Sequence, residues 1–263
     1  MLTLAIAIGA NTAIFSLLNV LVFRDLPVRD PGGLVQFRWQ YPGDPPLNLF
    51  SAGNYAHVRD HNTVFSDLIG VAPVSVPGQT GGAAPEPINV GLVTGNFFQA
   101  LGVQPAAGRP TGAGDDDPGA DAVAVLNWTY WKTRFNLDPG VFNTRIVVGP
   151  IQATVVGVAA RDFSGLILGH RSDVWIPAAA LRGQGQPGFM LMGRLKQGVT
   201  LDRARAEMRV LDRPRIEAFA RSDPQWRQVA LETTSARTGF TALGAGRLRI
   251  ARQSRRRRAG AWR

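Results

Sequence analysis

The sequence predicts an α+β protein in which one N-terminal transmembrane helix precedes a mixed domain of strands and short helices. Two observations support this prediction. Residues 2–23 contain no charged side chain. In the remainder, segments rich in β-branched and aromatic residues alternate irregularly with short segments of helical periodicity.

The apolar segment of residues 2–23 is long enough to span a bilayer. Sixteen of its 22 residues are apolar. A helix of this size measures about 33 Å, against about 30 Å for the hydrocarbon core. A soluble core helix of this length usually has a charged face. A secretory signal has a basic segment before its apolar run and a small-residue cleavage site after it, and neither is present here. We therefore expect a membrane helix, with a signal peptide or a buried soluble helix as the alternatives.

Four small or polar residues of this segment share one helical face: Gly9, Thr12, Ser16 and Asn19. Their spacings of three and four residues place the side chains one above another. In lipid, such a face allows two helices to approach and to hydrogen-bond; the alternative is that the hydroxyls bond to their own helix. We predict a helix-packing face. Since no other segment is as long and apolar, the partner helix would belong to another chain or to another part of a longer protein.

The net charge of +10 comes almost entirely from the C-terminal end. Residues 237–263 contain nine arginines and no acidic residue, whereas residues 1–236 carry a net charge of +1. The arginine run 255–258 is typical of contact with nucleic acid or anionic lipid. A disordered, non-native tail is the interpretation we favour, so no specific nucleic-acid partner is predicted. The sequence contains no cysteine, which excludes disulfides and thiol chemistry.

Between these ends the patterns predict nine strands and four helices. Strands are expected at residues 34–40, 68–76, 88–93, 122–127, 145–148, 151–159, 174–176, 189–195 and 226–234. Helices are expected at residues 51–62, with Ser51 as N-cap, at 96–102, at 128–135 and at 200–220. The last of these is amphipathic, and Pro214 is expected to kink or split it.

No motif predicts catalysis or a cofactor in this chain. There is no G-x-x-x-x-G-K-[ST], so ATP binding through a P-loop is not expected. His57 and His61, with Asp60 beside them, have a spacing that can hold a metal. The pattern is not H-E-x-x-H, however, and His170 is the only other histidine, so an ordinary polar helix face is favoured.

Three further patterns have a plain structural interpretation. The acidic residues 115–117 lack the alternating ligands of a calcium loop, which favours a solvated loop. Ser164 is not in a G-x-S-x-G elbow. Gly78, Gly81 and Gly82 form a loop-like segment that does not lead from a strand into a helix, as a phosphate-binding turn would. No catalytic, cofactor-binding or metal-binding residue is therefore predicted.

Several segments resemble one family when they are taken in order. "IAIGANTAIFSLLNVLVFRDLPVRDPGGLV" is similar to the first membrane span and exit of MacB-like, FtsX-type ABC transporter permeases, above all the acidobacterial orphan-permease branch. "VTGNFFQALGVQPAAGR", "VAVLNWTYWKTRF", "ATVVGVAARDFSG", "DVWIP" and "GRLKQGVTLDRARAEM" resemble the periplasmic core domain of that family. The resemblance covers about residues 2–234.

The resemblance implies a non-catalytic permease component in the bacterial inner membrane. Its α+β periplasmic domain would have a porter-like part and an inserted second lobe. It would act in export or mechanotransmission, with a separate ABC ATPase subunit that binds the ATP, and with a second copy of itself or other permease spans as membrane partners. Charge does not orient the helix, because Arg24 and Arg29 are balanced by Asp25 and Asp30. The periplasmic location therefore follows from the resemblance alone.

The sequence departs from the family pattern at both ends. The basic stretch that precedes the first span in the family is missing, and the Arg-rich segment stands where further spans would follow. We expect a transmembrane helix at residues 1–23, the periplasmic core domain at 24–236 and a basic, disordered tail at 237–263. The chain would then be a piece of a longer permease, with a tail that a frameshift would explain. The alternatives are a membrane-anchored periplasmic binding module without a transport role and a non-functional truncated permease.

Overall fold

The computed structural model describes residues 25–80, 84–182 and 187–240. The expected transmembrane helix with its packing face (Gly9, Thr12, Ser16 and Asn19), and Gly81 and Gly82, lie outside the described residues. Of the expected basic tail at 237–263, the structure describes residues 237–240, and the remainder lies outside the described residues. Among the helices of the described ranges, none has the length and apolar character needed to cross a bilayer.

The described residues form one sheet of ten strands together with four α-helices. The strands are β1 (Leu34–Gln40), β2 (Phe65–Thr80), β3 (Glu86–Val93), β4 (Pro105–Gly108), β5 (Val123–Leu126), β6 (Arg145–Val148), β7 (Ile151–Ala159), β8 (Val174–Pro177), β9 (Met190–Leu195) and β10 (Ala230–Ser235). The helices are α1 (Ala52–His61), α2 (Phe97–Leu101), α3 (Trp128–Phe135) and α4 (Leu201–Ser222).

Local chemistry accounts for where the helices begin and end. Ser51 is the N-cap of α1: its hydroxyl accepts from the Asn54 backbone N–H, and the Asn54 side chain accepts from the Ser51 N–H in return. Thr200 caps α4 by accepting from the Arg203 N–H. Gly102 ends α2 with a φ of 70°, a left-handed conformation that glycine adopts without steric cost.

The first and last parts of the domain build a split βαβ lobe. The strand order β10-β1-β9-β2 arises from two β-α-β units, β1-α1-β2 and β9-α4-β10, and every neighbouring pair in it is antiparallel. The two helices lie side by side, since Arg215 Nη1 of α4 donates to the Gly53 carbonyl of α1 at 3.2 Å. A four-stranded sheet with both long helices on one face results.

The strands between β2 and β9 close into a barrel that is inserted into this lobe. Pairing runs from β2 to β3, β8, β5, β7 and β6, and then returns to β2, where Gly78 faces Val148 and Thr80 faces Ile146. Strand β2 is 16 residues long, and its two halves serve different lobes: residues 65–71 pair with β9, and residues 71–80 pair with barrel strands. The two lobes therefore share one continuous strand.

Two apolar clusters occupy the two faces of the shared sheet. The larger cluster lies under α1 and α4 and continues among the barrel strands; it includes Phe37, Trp39, Val90, Ile146 and Met208. The second lies on the opposite face and includes Leu34, Ile69, Met190 and Met192 of the strands. Neighbouring strand residues alternate between the clusters, as Leu191 and Met192 do, because successive side chains of a strand point to opposite faces.

The predicted α+β class is confirmed, and most predicted elements are present with small shifts of their ends. Strand β4 was not predicted. Helix α4 continues through Pro214 as one element, so the predicted split at this residue is wrong. The carbonyl that Pro214 leaves without an amide donor is that of Val210, and Val210 is 74% exposed, so water can bond to that carbonyl.

Gly78 also differs from its predicted loop position, because it lies within β2. A Cβ at this residue would come within 2.4 Å of Ile88 Cδ1. The missing side chain therefore makes room for the packing of Ile88, a residue that is completely buried.

A buried carboxylate lies in α4, on the side of the helix that faces α1. Asp212 is 3% exposed, and its nearest cation is Arg215 Nε, at 3.8 Å from Oδ1. Its Oδ2 has no hydrogen-bond partner among the described residues. Burial raises the pKa of Asp212, against the smaller opposing effects of Arg215 and His57. The folded state therefore binds the Asp212 proton more tightly than the unfolded state does.

We predict that Asp212→Asn stabilises the domain at neutral pH. A carboxyl with a raised pKa in the folded state costs stability once the pH rises through that pKa, and the amide has no charge to bury. Thermal unfolding at pH 7 should show a melting temperature higher by at least about 2 °C. The gain should shrink towards zero as the pH falls below the unfolded-state pKa. Asp44→Asn, an exposed substitution with the same change of charge, is the control; an equal gain in both variants would contradict this account.

Candidate functional site

The two ends of the domain meet beneath the sheet, in a region that we call the base (residues 25–33 and 236–240). The backbone N–H of Leu26 donates to the Arg237 carbonyl at 3.0 Å. The Arg237 guanidinium forms a two-point ion pair with the Asp25 carboxylate, with Nη2 at 2.8 Å from Oδ2. The hydrogen bond from Arg237 lowers the pKa of Asp25. The chain therefore enters and leaves the domain at the same place.

Phe240 attaches the outgoing chain to the segment that follows β7. Its N–H donates to the Leu166 carbonyl at 2.7 Å, its carbonyl accepts from Leu168 N–H at 2.8 Å, and its side chain is completely buried. Gly239 precedes it with a φ of 87°, and a Cβ there would lie 2.4 Å from the Leu166 carbonyl oxygen. Only glycine allows the chain to turn this close to the 160–170 segment.

A buried arginine attaches the incoming chain to the sheet. Arg194 of β9 is 6% exposed and lies on the same strand face as Met190 and Met192. Its Nε donates to the Ala100 carbonyl at 2.9 Å, and its Nη1 donates to the Asp30 carbonyl at 3.0 Å. Burial lowers the pKa of Arg194. One guanidinium thus connects β9, the end of α2 and the incoming chain.

Four aromatic side chains connect the base to the barrel. Phe97 and Phe98 of α2, Phe163 after β7 and Trp175 of β8 are all at most 1% exposed. Their ring centroids are 5.2 to 6.1 Å apart, mostly in edge-to-face arrangements. They belong to the same apolar cluster as Phe240, so close packing is continuous from the base into the barrel.

A cleft of about 470 Å³, lined by both apolar and polar residues, opens between the two lobes. Tyr55 and Arg59 of α1 form one side, and Asn96, Asp116 and Arg182 lie on the side of the barrel lobe. The Asp116 carboxylate accepts from Gly95 N–H, and its backbone carbonyl accepts from the Arg182 guanidinium. Burial raises the pKa of Asp116 and also that of Tyr55. The cleft offers both signs of charge to a polar ligand.

Two of the histidines singled out from the sequence, His57 and His61, contact each other and backbone carbonyl groups. The rings of His57 and His61 lie 4.7 Å apart, centroid to centroid. His61 Nδ1 lies 2.9 Å from the His57 carbonyl oxygen, and His57 Nε2 lies 3.4 Å from that of Leu211. Across the described ranges, no three histidine or acidic side chains converge as a metal site would require.

The acidic run 115–117 organises its own loop. Asp115 receives two hydrogen bonds from Arg109, both 2.9 Å long, and one from Gly112 N–H. The Asp116 carboxylate accepts a hydrogen bond from the Gly95 N–H. Ser164 is an exposed residue of the segment after β7.

Sequence reasoning did not identify the residues of the base. The sequence offered a sign that Arg194 is special, because it is the one charged residue in the apolar segment 189–195. Asp25 and Arg237 had none, since each is an ordinary polar residue and the two are 212 positions apart.

We predict that Arg194→Met loosens the incoming chain. The substitution leaves the Ala100 carbonyl without a donor and leaves the Asp30 carbonyl with only the Gly33 N–H, at 3.2 Å. The loss should cost about 2 kcal/mol of unfolding free energy. It should also speed tryptic cleavage after Arg29, which limited proteolysis measures. Arg194→Lys is the control that keeps the charge, and we expect an intermediate effect because one ammonium lacks the planar fork of a guanidinium. Unchanged cleavage in both variants would contradict this role.

Comparison with known proteins shows which family has this architecture. The family model described as "MacB-like periplasmic core domain" matches residues 1–211. None of the curated proteins matches the sequence. The periplasmic region of MacB from Actinobacillus actinomycetemcomitans is similar with a TM-score of 0.56 and 10% identity, over 78% of this chain and 89% of that one.

Two further solved structures are similar. A domain of a putative permease protein from Porphyromonas gingivalis has a TM-score of 0.59 and 13% identity, over 84% of this chain and 99% of that one. The extracellular domain of the noncanonic ABC-type transporter YknZ from Gram-positive bacteria has a TM-score of 0.56 and 10% identity, over 76% and 99%. At these identities the structures support the fold, and the family model covers most of the sequence: the chain belongs to the family of MacB-like periplasmic core domains.

Proposed function

We propose that this chain is the extracytoplasmic part of a non-catalytic ABC permease component, held in the bacterial inner membrane by residues 1–23. It transmits movement between membrane helices and periplasmic partners, in export or in mechanotransmission, while a separate ABC ATPase subunit binds ATP. The observation that carries this proposal is the base, where the incoming and outgoing chains are joined by the Leu26–Arg237 hydrogen bond and the Asp25–Arg237 ion pair.

The geometry of the base suits a mechanical role. A domain that is driven by membrane helices needs a stiff connection to them, since a flexible linker would absorb the displacement. Here the incoming chain is held by Arg194 and the outgoing chain by Phe240. Both contact points lie on the side of the sheet that carries the aromatic cluster of α2, β8 and residue 163. A shift of either chain would therefore move both lobes together.

The polar face of Gly9, Thr12, Ser16 and Asn19 is our candidate for helix contact in the assembled transporter, either with a second copy of this chain or with other permease spans. The family membership and the spacing of the four residues support it.

A second candidate function is a membrane-anchored periplasmic binding module without a transport role. The cleft between the lobes favours it, because about 470 Å³ lined by Tyr55, Asn96, Asp116 and two arginines is within the size range of small-molecule sites.

Co-purification distinguishes the two candidates. We expect the tagged full-length chain to remain in carbonate-washed membranes and, after mild chemical cross-linking in its native host, to carry an ABC ATPase subunit that mass spectrometry identifies. The same chain without residues 1–23 is the control, and it should be free of the ATPase in the soluble fraction. A full-length chain in the soluble fraction, or one in membranes that carries no ATPase, would contradict the permease proposal.

The packing face is tested by substitution. Gly9→Leu with Ser16→Leu should reduce self-association or span association in a membrane two-hybrid assay by about tenfold or more, because the bulky side chains keep the backbones apart. Ala7→Leu with Asn11→Leu changes the opposite helical face and should leave association unchanged. Equal effects of the two pairs would argue against this face.

A further inference from the structure

A groove of about 640 Å³ lies between the C-terminal half of α4 and strand β10. Its floor is apolar and is formed by Ile216 and Ala220 of the helix and by Val229 and Leu231 at the start of the strand. Ala220, Val229 and Leu231 are each 6% exposed. The groove lies on the helix face of the sheet, whereas the base lies on the other face.

The rim of the groove is strongly basic. Arg209, Arg213, Arg221 and Arg227 border it, and among the described residues Glu217 is the only acidic one that lines it. Glu217 is already paired with Arg213, with Nε at 2.9 Å from Oε1. The side chains of Arg209, Arg221 and Arg227 are exposed and have no ion pair or hydrogen bond with any described residue. Three free guanidinium groups at one groove are notable in a chain whose residues 1–236 carry a net charge of only +1.

The strand beside the groove is an open edge of the sheet. Within the described residues β10 pairs with β1 alone. Leu231 faces Trp39, but Trp39 uses its N–H and C=O on the opposite side, where both bond to Leu47 at 2.7 and 2.8 Å. In an antiparallel ladder the N–H and C=O of Leu231 must then point outwards. Two positions further along, the outward carbonyl of Thr233 accepts from Arg205 Nε at 2.9 Å, which leaves Leu231 as the open backbone position beside the groove.

We propose that this groove binds an extended acidic segment of a partner protein. The segment hydrogen-bonds to Leu231 as an added strand, places an apolar side chain on the Ile216–Val229 floor, and directs carboxylates to Arg209, Arg221 and Arg227. Addition of a peptide strand to a sheet edge is a general mode of recognition, in which the main chain supplies affinity and alternate side chains supply specificity. Carboxylates and guanidinium groups form strong two-point hydrogen bonds.

The position of the groove favours a protein partner over lipid. Ala236, at the base, lies six residues along the chain from Ala230, at the groove, which corresponds to about 20 Å of extended strand. If the base adjoins the membrane, as the proposed function requires, the groove lies away from the bilayer. An inorganic anion or a nucleic acid would leave the apolar floor uncovered.

Peptide binding to the full-length chain in detergent micelles tests this inference. The probe is a fluorescein-labelled heptapeptide, Glu-Ser-Glu-Ser-Val-Ser-Glu, whose glutamates and valine share one face of an extended strand. Fluorescence anisotropy measures its affinity. We expect Arg221→Gln with Arg227→Gln to weaken binding at least tenfold. Arg145→Gln with Arg203→Gln removes the same charge from exposed positions outside the groove, and we expect it to leave the affinity within twofold of the parent.

Four further probes decide the nature of the occupant. The peptide with lysine in place of glutamate, and the glutamate peptide with N-methyl groups on alternate backbone nitrogens, should each bind at least tenfold more weakly. Phosphatidylglycerol vesicles and inorganic phosphate should compete only by general screening, equally in both arginine variant pairs. The proposal is overturned if no peptide binds, if the two variant pairs lose affinity equally, if the lysine or N-methylated peptide binds as well as the parent, or if vesicles or phosphate displace the probe specifically. None of these outcomes depends on whether an ATPase co-purifies.

Discussion

The antiparallel pairing of the first and last strands is the constraint on which the rest of this structure depends. Val35 of β1 faces Ser235 of β10, and Gln40 faces Ala230. The start of one strand therefore lies beside the end of the other, and the chain must leave the domain where it came in. The Leu26–Arg237 hydrogen bond, the Asp25–Arg237 ion pair and the burial of Phe240 are consequences of this register.

Two buried charged side chains, Arg194 and Asp212, lose hydration when the domain folds, and Arg194 also connects separate segments of the chain. Arg194 loses its hydration beneath the sheet, and two carbonyls from separate segments replace part of the water, while its Nη2 has no partner among the described residues. Asp212 receives less compensation, since its Oδ2 also has no partner among the described residues and its Oδ1 has only Arg215 Nε at 3.8 Å. The first charge joins the incoming chain to β9. The second lies between α1 and α4 and makes the stability of that helix pair sensitive to pH.

The shared strand explains why the two lobes are not independent. Residues 65–71 of β2 complete the split βαβ sheet, and residues 71–80 begin the barrel. The lobes also share the second apolar cluster, which contains Leu34 of the split βαβ lobe and Trp175 of the barrel lobe. In contrast, the cleft beside α1 separates the lobes on their outer side and exposes polar groups there. The domain thus combines a continuous β connection with one open polar surface, while its basic groove lies at the far edge of the sheet.

Much of the local structure follows from the sequence. Strand β1 and helix α3 have the predicted bounds, and Ser51 acts as the expected N-cap, because strand propensity, helical periodicity and capping depend on neighbouring residues. The family resemblance was also readable in the sequence, through motifs in a fixed order. Strand β4 was not predicted, since its four residues, Pro105–Gly108, carry no apolar alternation.

Contacts between distant residues were decided only by the tertiary structure. Closure of the barrel depends on β6 meeting β2 more than 60 positions away, and the base depends on Asp25 meeting Arg237. No local pattern records such pairings, because the energy that selects them comes from burying both lobes around one sheet. The sequence by itself determined the helices, most strands and the near-neutral charge of residues 1–236. The base, the two hydrogen bonds of Arg194 and the basic groove beside Leu231 exist only because packing brings residues from distant parts of the chain together.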